Sequence, residues 1–214
     1  MEDTKEKILK ATECLIMKQG WHRVTIRMIT AEAGVNLAAI NYHFGSREAL
    51  EDALVPRILN PMYIKCLSQL ENIERETLTA SPEVEQIIRS FLEPVLDFSR
   101  EYPNHHRMVQ QFFSGIHDKR KLRDHFEEHI APMVKRYIGA LSNTLPNVPR
   151  EKLIIHFTSL FTSSHLLIDN PLHRNMMDSL GLDTDKETIM EELIELYSTA
   201  FQSLERSAET QSPS

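Results

Sequence analysis

The sequence predicts an all-α protein with a small N-terminal three-helix domain and a larger helical bundle behind it. Three observations carry this. Apolar residues recur at three- and four-residue spacing through most of the 214 residues, and no stretch alternates as a strand would. Helix punctuation (a capping residue before an apolar run, Gly or Pro after it) divides the chain into segments of helical length. Residues 25–50, TIRMITAEAGVNLAAINYHFGSREAL, condense two short helices, a tight turn and the start of a third helix into one stretch.

Upstream of that stretch, Ile8, Leu9, Ala11, Leu15 and Ile16 make the apolar stripe of a first helix that Gly20 ends, with Trp21 following. Thr25 suits the N-cap of a helix over 26–32, because its hydroxyl can accept a bond from an orphan amide of the first turn. Gly34, within Ala33-Gly34-Val35, supplies the backbone freedom for a turn between helices packed nearly at right angles. Asn36 caps the next helix, 37–44; Gly45 stops it, and Ser46 caps another that begins Arg47-Glu48-Ala49-Leu50. Ile26, Ile29, Val35, Ile40, Phe44 and Leu50 fall where a tri-helical core needs them, which leaves Leu37, Ala38, Ala39, Asn41, Tyr42 and His43 outside. This is helix-turn-helix geometry, in which the second helix enters a DNA major groove.

Pro56 and Pro61 are expected to end or bend the fourth helix, so the domain boundary is drawn there: 1–55 for the helix-turn-helix domain, 56–206 for the bundle, and 207–214, a polar SAETQSPS, as a disordered tail. Ser81-Pro82 starts the next helix, with Ile87, Ile88, Phe91, Leu92, Val95 and Phe98 on its apolar face. Tyr102-Pro103-Asn104 breaks it. A short helix follows through Met108, Phe112 and Phe113, then a long one over about 122–145. Pro146 and Pro149 bracket a turn before a helix over 153–168, which Asp169-Asn170-Pro171 stops. Thr184 and Glu187 form a capping-box pattern that opens the last helix, through Ile189, Leu193, Leu196, Tyr197, Ala200 and Leu204. No internal repeat is present.

Composition narrows the function classes. Cys14 and Cys66 are the only cysteines and there is no secretory h-region, so a reduced, cytoplasmic protein is expected; no apolar run reaches the length of a membrane span, so no membrane partner is expected. The net charge of −7 is unevenly distributed: residues 1–50 balance at +1, and the remainder at −8. Nucleic-acid binding would therefore rest on local placement of Arg27, Arg47, hydroxyls and helix N-termini, not on a basic domain. With six glycines and neither a phosphate loop, a nucleophile elbow nor a paired cysteine motif, neither catalytic residues nor a cofactor are expected. His125 and His129 have the i,i+4 spacing of metal ligands but no third ligand at motif spacing, although Asp118 and Glu128 are near in sequence; solvated helix-face residues are the expected reading, so no metal is assigned. His105-His106, at a helix start, are also expected to be exposed. His165, among Thr162-Ser163-Ser164 and Leu166-Leu167, suits a satisfied histidine at an interface or a polar pocket residue.

Together, Thr25, Ile26, Arg27, Ala33-Gly34-Val35, Tyr42-His43-Phe44, Ser46, Arg47 and Leu50 resemble the DNA-binding domain of the TetR family of transcriptional regulators, in fixed order and without gaps. Thr30 departs from the Ala more usual there. The resemblance implies a homodimer that binds a double-stranded DNA operator through Thr25, Arg27, Asn36, Leu37, Ala38, Ala39, Asn41, Tyr42, His43 and Arg47. It implies a four-helix dimer interface from the last two helices of each subunit, near Thr158, Ser159, Thr162, Leu193, Leu196, Thr199 and Ala200. It also implies an effector site in the bundle. Phe91, Phe98, Met108, Phe112, Met133, Tyr137 and Phe161 are the candidate lining, since Met and aromatic side chains tolerate varied ligand shapes; by spacing alone the same residues suit core packing better, and the resemblance favours a pocket only for the bundle as a whole.

The stretch from Asn36 to Ser46, and Leu122 to Pro149, further resemble a subgroup that includes fatty-acid-responsive regulators, which implies a small lipophilic effector such as a fatty acid or acyl-coenzyme A. Where that subgroup has an Arg-Leu pair on its short sixth helix, this chain has Gln110-Gln111 and lacks the cation. The expected function is a ligand-responsive repressor on an inverted-repeat operator, released when a ligand displaces the fourth helix. The alternatives are an activator with no small-molecule inducer, or an interaction protein that the helix-turn-helix only docks on DNA.

Overall fold

The computed structural model describes residues 3–77, 81–115, 124, 126–168 and 170–210. Among them every regular element is helical and none is a strand, as the periodicity predicts. The described residues divide into two compact units: those within 1–61 and 99–116, and those within 62–98 and 117–214.

In the first unit, α1 (Thr4–Gln19) is capped by Asp3 and closed by Gly20, at φ 78°. A 3₁₀ turn (Trp21–Arg23) leads to α2 (Ile26–Ala33), α3 (Leu37–Phe44) and the start of α4 (Arg47–Glu76). The three caps read from the sequence all form. Thr25 Oγ1 accepts from Met28 N at 3.3 Å, Asn36 Oδ1 from Ala39 N at 2.9 Å, and Ser46 Oγ from Ala49 N at 3.1 Å. Gly34 sits in the left-handed region at φ 65°, where a β-carbon would be strained. Ile8, Ile16, Val24, Ile29, Leu50, Leu54 and Val55 are sealed from solvent and form this unit's core. Arg57 on α4 binds Glu6 and Glu13 on α1 at 2.8 to 3.0 Å. Helix α6 (Pro103–Gly115) also belongs to this unit; Asn104 Nδ2 donates to Met17 O at 2.9 Å, and the His105 ring lies 3.4 Å from Glu13 O.

The second unit contains the rest of α4, most of α5 (Val84–Glu101), a π-helical turn (Phe126–Ile130), α7 (Ala131–Thr144), α8 (Arg150–Leu167), α9 (Pro171–Ser179) and α10 (Lys186–Glu209). Its centre is aromatic. Phe91 lies edge-on to Tyr137 and against Phe157 and Phe161, while Tyr137 stacks on Phe157 at 5.1 Å. The buried Tyr137 hydroxyl donates to the Cys66 carbonyl at 3.0 Å and lies 3.1 Å from Ser90 Oγ, so a polar group at the core is satisfied. At the rim, Arg89 on α5 grips Glu191 on α10 with two bonds of 2.7 and 2.9 Å.

Several sequence expectations fail for identifiable reasons. Pro56 and Pro61 neither end α4 nor make a linker: the helix runs 30 residues through both. Buried Leu54, Val55, Ile58, Leu59, Met62, Tyr63, Cys66 and Leu70 hold one helical face, and the two rings lie off that face, where the carbonyls they leave without a donor can reach water. The break at Tyr102 is one residue wide, because Pro103 itself opens α6. Asn170-Pro171, read as a stop, is also a start: Asn170 caps α9 by accepting from Leu172 N at 2.8 Å. Asp185, not Thr184, caps α10, accepting from Thr188 N at 2.7 Å. Residues 207–209, assigned to the tail, continue α10. The helix expected over 122–145 is α-helical over Ala131–Thr144, with the π-helical turn before it; residues 122, 123 and His125 lie outside the described residues, as does Asp118.

The histidines also correct expectation. His105 and His106 are buried, not exposed, since α6 presses them inward. His165 lies inside the unit, stacked on Phe161 at 4.5 Å with Nδ1 2.9 Å from Phe161 O, and burial pulls its pKa down to about 4. An unfolded chain would bind that proton near 6.5, so between pH 6.5 and 4 the unfolded state holds more protons than the folded one. The wild type should therefore lose stability as pH falls through this window, at up to about 1.4 kcal/mol per unit. His165→Leu should flatten that slope in urea titrations; an unchanged slope would show that His165 does not carry the effect.

Candidate functional site

Helix α3 presents its functional face because only one of its residues is deeply committed to the interior. Ile40 is 2% exposed and anchors the helix. Opposite it, Tyr42 is 86% and Leu37 55% exposed, beside exposed Ala38 and Asn41, while Ala39 and His43 are half-buried. A helix of eight residues with Leu and Tyr turned outward leaves its own apolar surface unburied, which marks the face for a partner. That exposure excludes a Tyr42 ring packed inward on α1; the ring meets only the edge of His43, at 5.1 Å, among the described aromatic groups.

Around this face stand two capped helix starts, at Thr25 and Asn36, whose remaining first-turn amides and dipoles favour an anion. Thr25 and Asn36 are exposed, as is Arg27, and the guanidinium of Arg27 makes no ion pair among the described residues. Arg47 differs. Its guanidinium donates to Val24 O at 2.7 Å and to Trp21 O at 3.1 Å, and lies 4.2 Å from the centre of the Trp21 ring. The sequence assigned Arg47 an outward phosphate contact; in the structure its charge satisfies the carbonyls that lead into α2. Arg47→Ala should therefore destabilise the helix-turn-helix unit by about 2 kcal/mol, through the loss of charged hydrogen bonds. Tyr42→Phe should leave stability unchanged. Urea midpoints read on Trp21 fluorescence check both, and an Arg47→Ala protein as stable as wild type would refute the structural role.

The candidate effector residues do not form one set. Phe91, Phe98, Met133 and Tyr137 are buried in the second unit, with Phe161 half-buried beside Phe91. Met108 and Phe112 belong to α6 of the first unit, and the Phe112 side chain lies outside those described. Sequence reasoning missed Tyr63 and Phe157 as members of the aromatic cluster, although Phe157 falls at helical spacing with Phe161; His165, read as an interface or polar pocket residue, joins the cluster through Phe161. Tyr63 is the notable one. Its hydroxyl is buried with no hydrogen-bond partner among the described residues, and burial pushes its pKa well up.

Residues 8–54 match the family of bacterial regulatory proteins named tetR, and residues 89–199 match the tetracyclin repressor-like C-terminal domain. The chain belongs to the TetR family. It is a DNA-binding transcriptional regulator and not an enzyme; regulators of this family bind operators, dimerise and answer to small molecules. No curated protein matches it closely enough to refine that assignment. Among solved structures it is similar to a Rhodococcus sp. RHA1 protein of unknown function (TM-score 0.62, 16% identity, 95% of this chain and 96% of that one). It is similar also to a TerR/AcrR family transcriptional regulator from Aquifex aeolicus VF5 (0.51, 21%, 90% and 96%) and to the TetR family repressor AlkX from a Dietzia species (0.52, 15%, 95% and 97%). At these identities the likeness is one of fold. No helix among the described residues is long and apolar enough to cross a membrane.

Proposed function

We propose that this TetR-family regulator is a repressor that reads an inverted-repeat operator as a homodimer and is released by a lipophilic small molecule. The observation that carries the DNA reading is the exposed face of α3. Leu37 and Ala38 offer apolar contact to thymine methyl groups, with Ala39 beside them, and Asn41 offers a bidentate pairing to adenine. Asn36 lies at the same groove-facing end, and Thr25, Arg27, Tyr42 and His43 flank it toward the phosphates. One eight-residue helix reads only a few base pairs, so affinity requires two half-sites matched to a two-fold axis.

Purified protein footprinted on its own promoter region should protect an inverted repeat. Tyr42→Phe should weaken binding to all sequences alike, Arg27→Ala should also lower the salt slope by about one, and Asn41→Ala should change the preferred sequence. Protection of one asymmetric half-site by a monomer would overturn the operator reading.

The dimer is supported by an apolar and small-residue stripe that the subunit leaves open. On α8, Ile155 and Leu166 are 63% and 42% exposed, with Ser159 and Thr162 exposed between them; on α10, Leu196 is 60% exposed beside Thr199. Thr158 and Ala200 are half-buried. Leu193, by contrast, is 4% exposed and belongs to its own subunit's core, so it leaves the interface assignment. Self-complementary burial of this stripe fits an isologous interface. Leu196→Glu should give a folded monomer by sedimentation, whereas Leu193→Glu should lower the melting temperature; a Leu196→Glu dimer would refute the stripe.

For the effector, the aromatic cluster of the second unit and the orphan Tyr63 hydroxyl favour a ligand with an apolar body and one hydrogen-bonding group. The buried side chains described there include Ser90, Ser164, neutral His165 and Ser198, with no Lys or Arg, so a neutral lipophile suits this unit better than a free fatty acid or an acyl-coenzyme A. Titration of long-chain alcohols against long-chain acids on the operator complex separates the two.

A further inference from the structure

The first unit also holds a concavity whose lining includes no residue of α3. It is a cleft of about 380 Å³ between the end of α1, the 3₁₀ turn and the first turn of α6, lined by Lys18, Gln19, Gly20, Trp21, His22, Arg23, Asn104, Arg107 and Met108. Four of these side chains are basic and none is acidic. Glu32 takes Lys18 from outside the lining at 3.4 Å. His22 and Arg23 are exposed and make no ion pair among the described residues.

A concave surface whose walls carry several basic side chains focuses a positive field, and the ligand such a field favours is an anion. The donors are also pre-placed. Asn104 is fixed by its bond to Met17 O at 2.9 Å, and its own Oδ1 lies 3.5 Å from an Arg107 guanidinium nitrogen, which sets Arg107 at the cleft's edge. Arg forks match phosphate oxygens in pairs. The volume lies within the ordinary range of small-molecule pockets and exceeds what a bare phosphate needs.

We propose that this cleft binds a phosphorylated small molecule, with the phosphate on Arg23 and Arg107 and the remainder against Gln19 and Asn104. Such a ligand ties α6 to the turn that runs directly into Thr25, the cap of α2, and so gives the regulator a second, anionic input distinct from a lipophilic effector.

Trp21 is the protein's only tryptophan and lies in the cleft wall, so it reports occupancy directly. The full-length protein is titrated with pyrophosphate at constant ionic strength. A saturable change in Trp21 fluorescence is expected, weakened tenfold or more by Arg107→Ala and by Arg23→Ala, and unaltered by Lys65→Ala, which removes an exposed charge in the other unit. Melting temperatures of the variants separate lost binding from lost folding, and Arg107→Lys should recover part of the affinity. No saturable change, or an Arg107→Ala protein that titrates as wild type, would overturn the proposal. It would be overturned equally if random-sequence duplex DNA displaced pyrophosphate and Arg107→Ala lowered the salt slope of DNA binding, since the cleft would then serve the DNA backbone.

Discussion

Eight residues are too few for a helix to stand in water, because nucleation costs more than two turns of hydrogen bonds return. Both α2 and α3 are of that length, so their existence depends on what pins their ends and inner faces. The pins are specific. Side-chain caps at Thr25, Asn36 and Ser46 meet orphan amides, and Gly34 allows the turn between the helices. Arg47 then ties the beginning of α4 to the carbonyls of Trp21 and Val24, residues that precede α2 by only a few positions. Its guanidinium also covers the Trp21 ring, a cation–π contact that shields the packing beneath. The chain thus spends its best-placed cation on the frame of the reading head, not on the partner the head would read.

That choice explains the charge balance. A unit whose net charge is near zero cannot attract DNA by field alone, and Arg47, although its charge still counts in that balance, commits donors to the carbonyls of Val24 and Trp21. What remains outward is shape and selective contact: Leu37, Ala38 and Asn41 on the face, Tyr42 at its side, Arg27 behind the cap of α2. Such a surface gains affinity slowly from each contact, which is why a two-fold arrangement matters to it. The uncovered stripe on α8 and α10 is the natural place for that doubling, since Ile155, Leu166 and Leu196 would otherwise stay in water.

The parts of the fold legible in the sequence are those fixed within a few residues. A cap is a side chain and an amide three positions on, and Thr25, Asn36 and Ser46 were all readable on that scale. Of the six residues that period turns inward, Ile29, Ile40 and Leu50 are buried, while Ile26, Val35 and Phe44 are only half-buried. Failures lie where the deciding partner is remote. Pro56 and Pro61 obey a local rule that burial of their neighbours overrides. Arg47 finds its acceptors 23 and 26 residues back, and a basic residue at a helix start gives no local sign of that. His105 and His106 read as polar, yet both are buried, His105 with its ring against Glu13 O of α1. Helix α9 went unseen because its Leu172 and Met176 stay exposed, so no buried stripe announced it. Leu193 and Leu196 are near-identical to a sequence reader and opposite in fact, because residues three apart still differ by roughly 60° around the helix and this pair straddles the edge of the buried arc.

The aromatic cluster shows the same limit from another side. Phe91, Tyr137, Phe157 and Phe161 are what any well-packed core would contain, and ring geometry alone does not separate a core from a pocket. Polar satisfaction does separate them. Tyr137 is buried and fully paired, to Cys66 and Ser90, which is how a core treats a hydroxyl. Tyr63 is buried to nearly the same degree and its hydroxyl is unmet among the described residues, a cost a core has no reason to carry and a bound ligand would remove. Two tyrosines in one unit, one paired and one not, place the effector question at Tyr63. Tyr63→Phe should raise the stability of the unliganded protein, because a desolvated hydroxyl disappears, and should weaken binding of a lipophilic ligand that carries a hydrogen-bond acceptor. Thermal melts with and without the ligand read both effects together. A Tyr63→Phe protein destabilised to the extent expected of Tyr137→Phe would show that the hydroxyl is paired after all, and that Tyr63 belongs to the core.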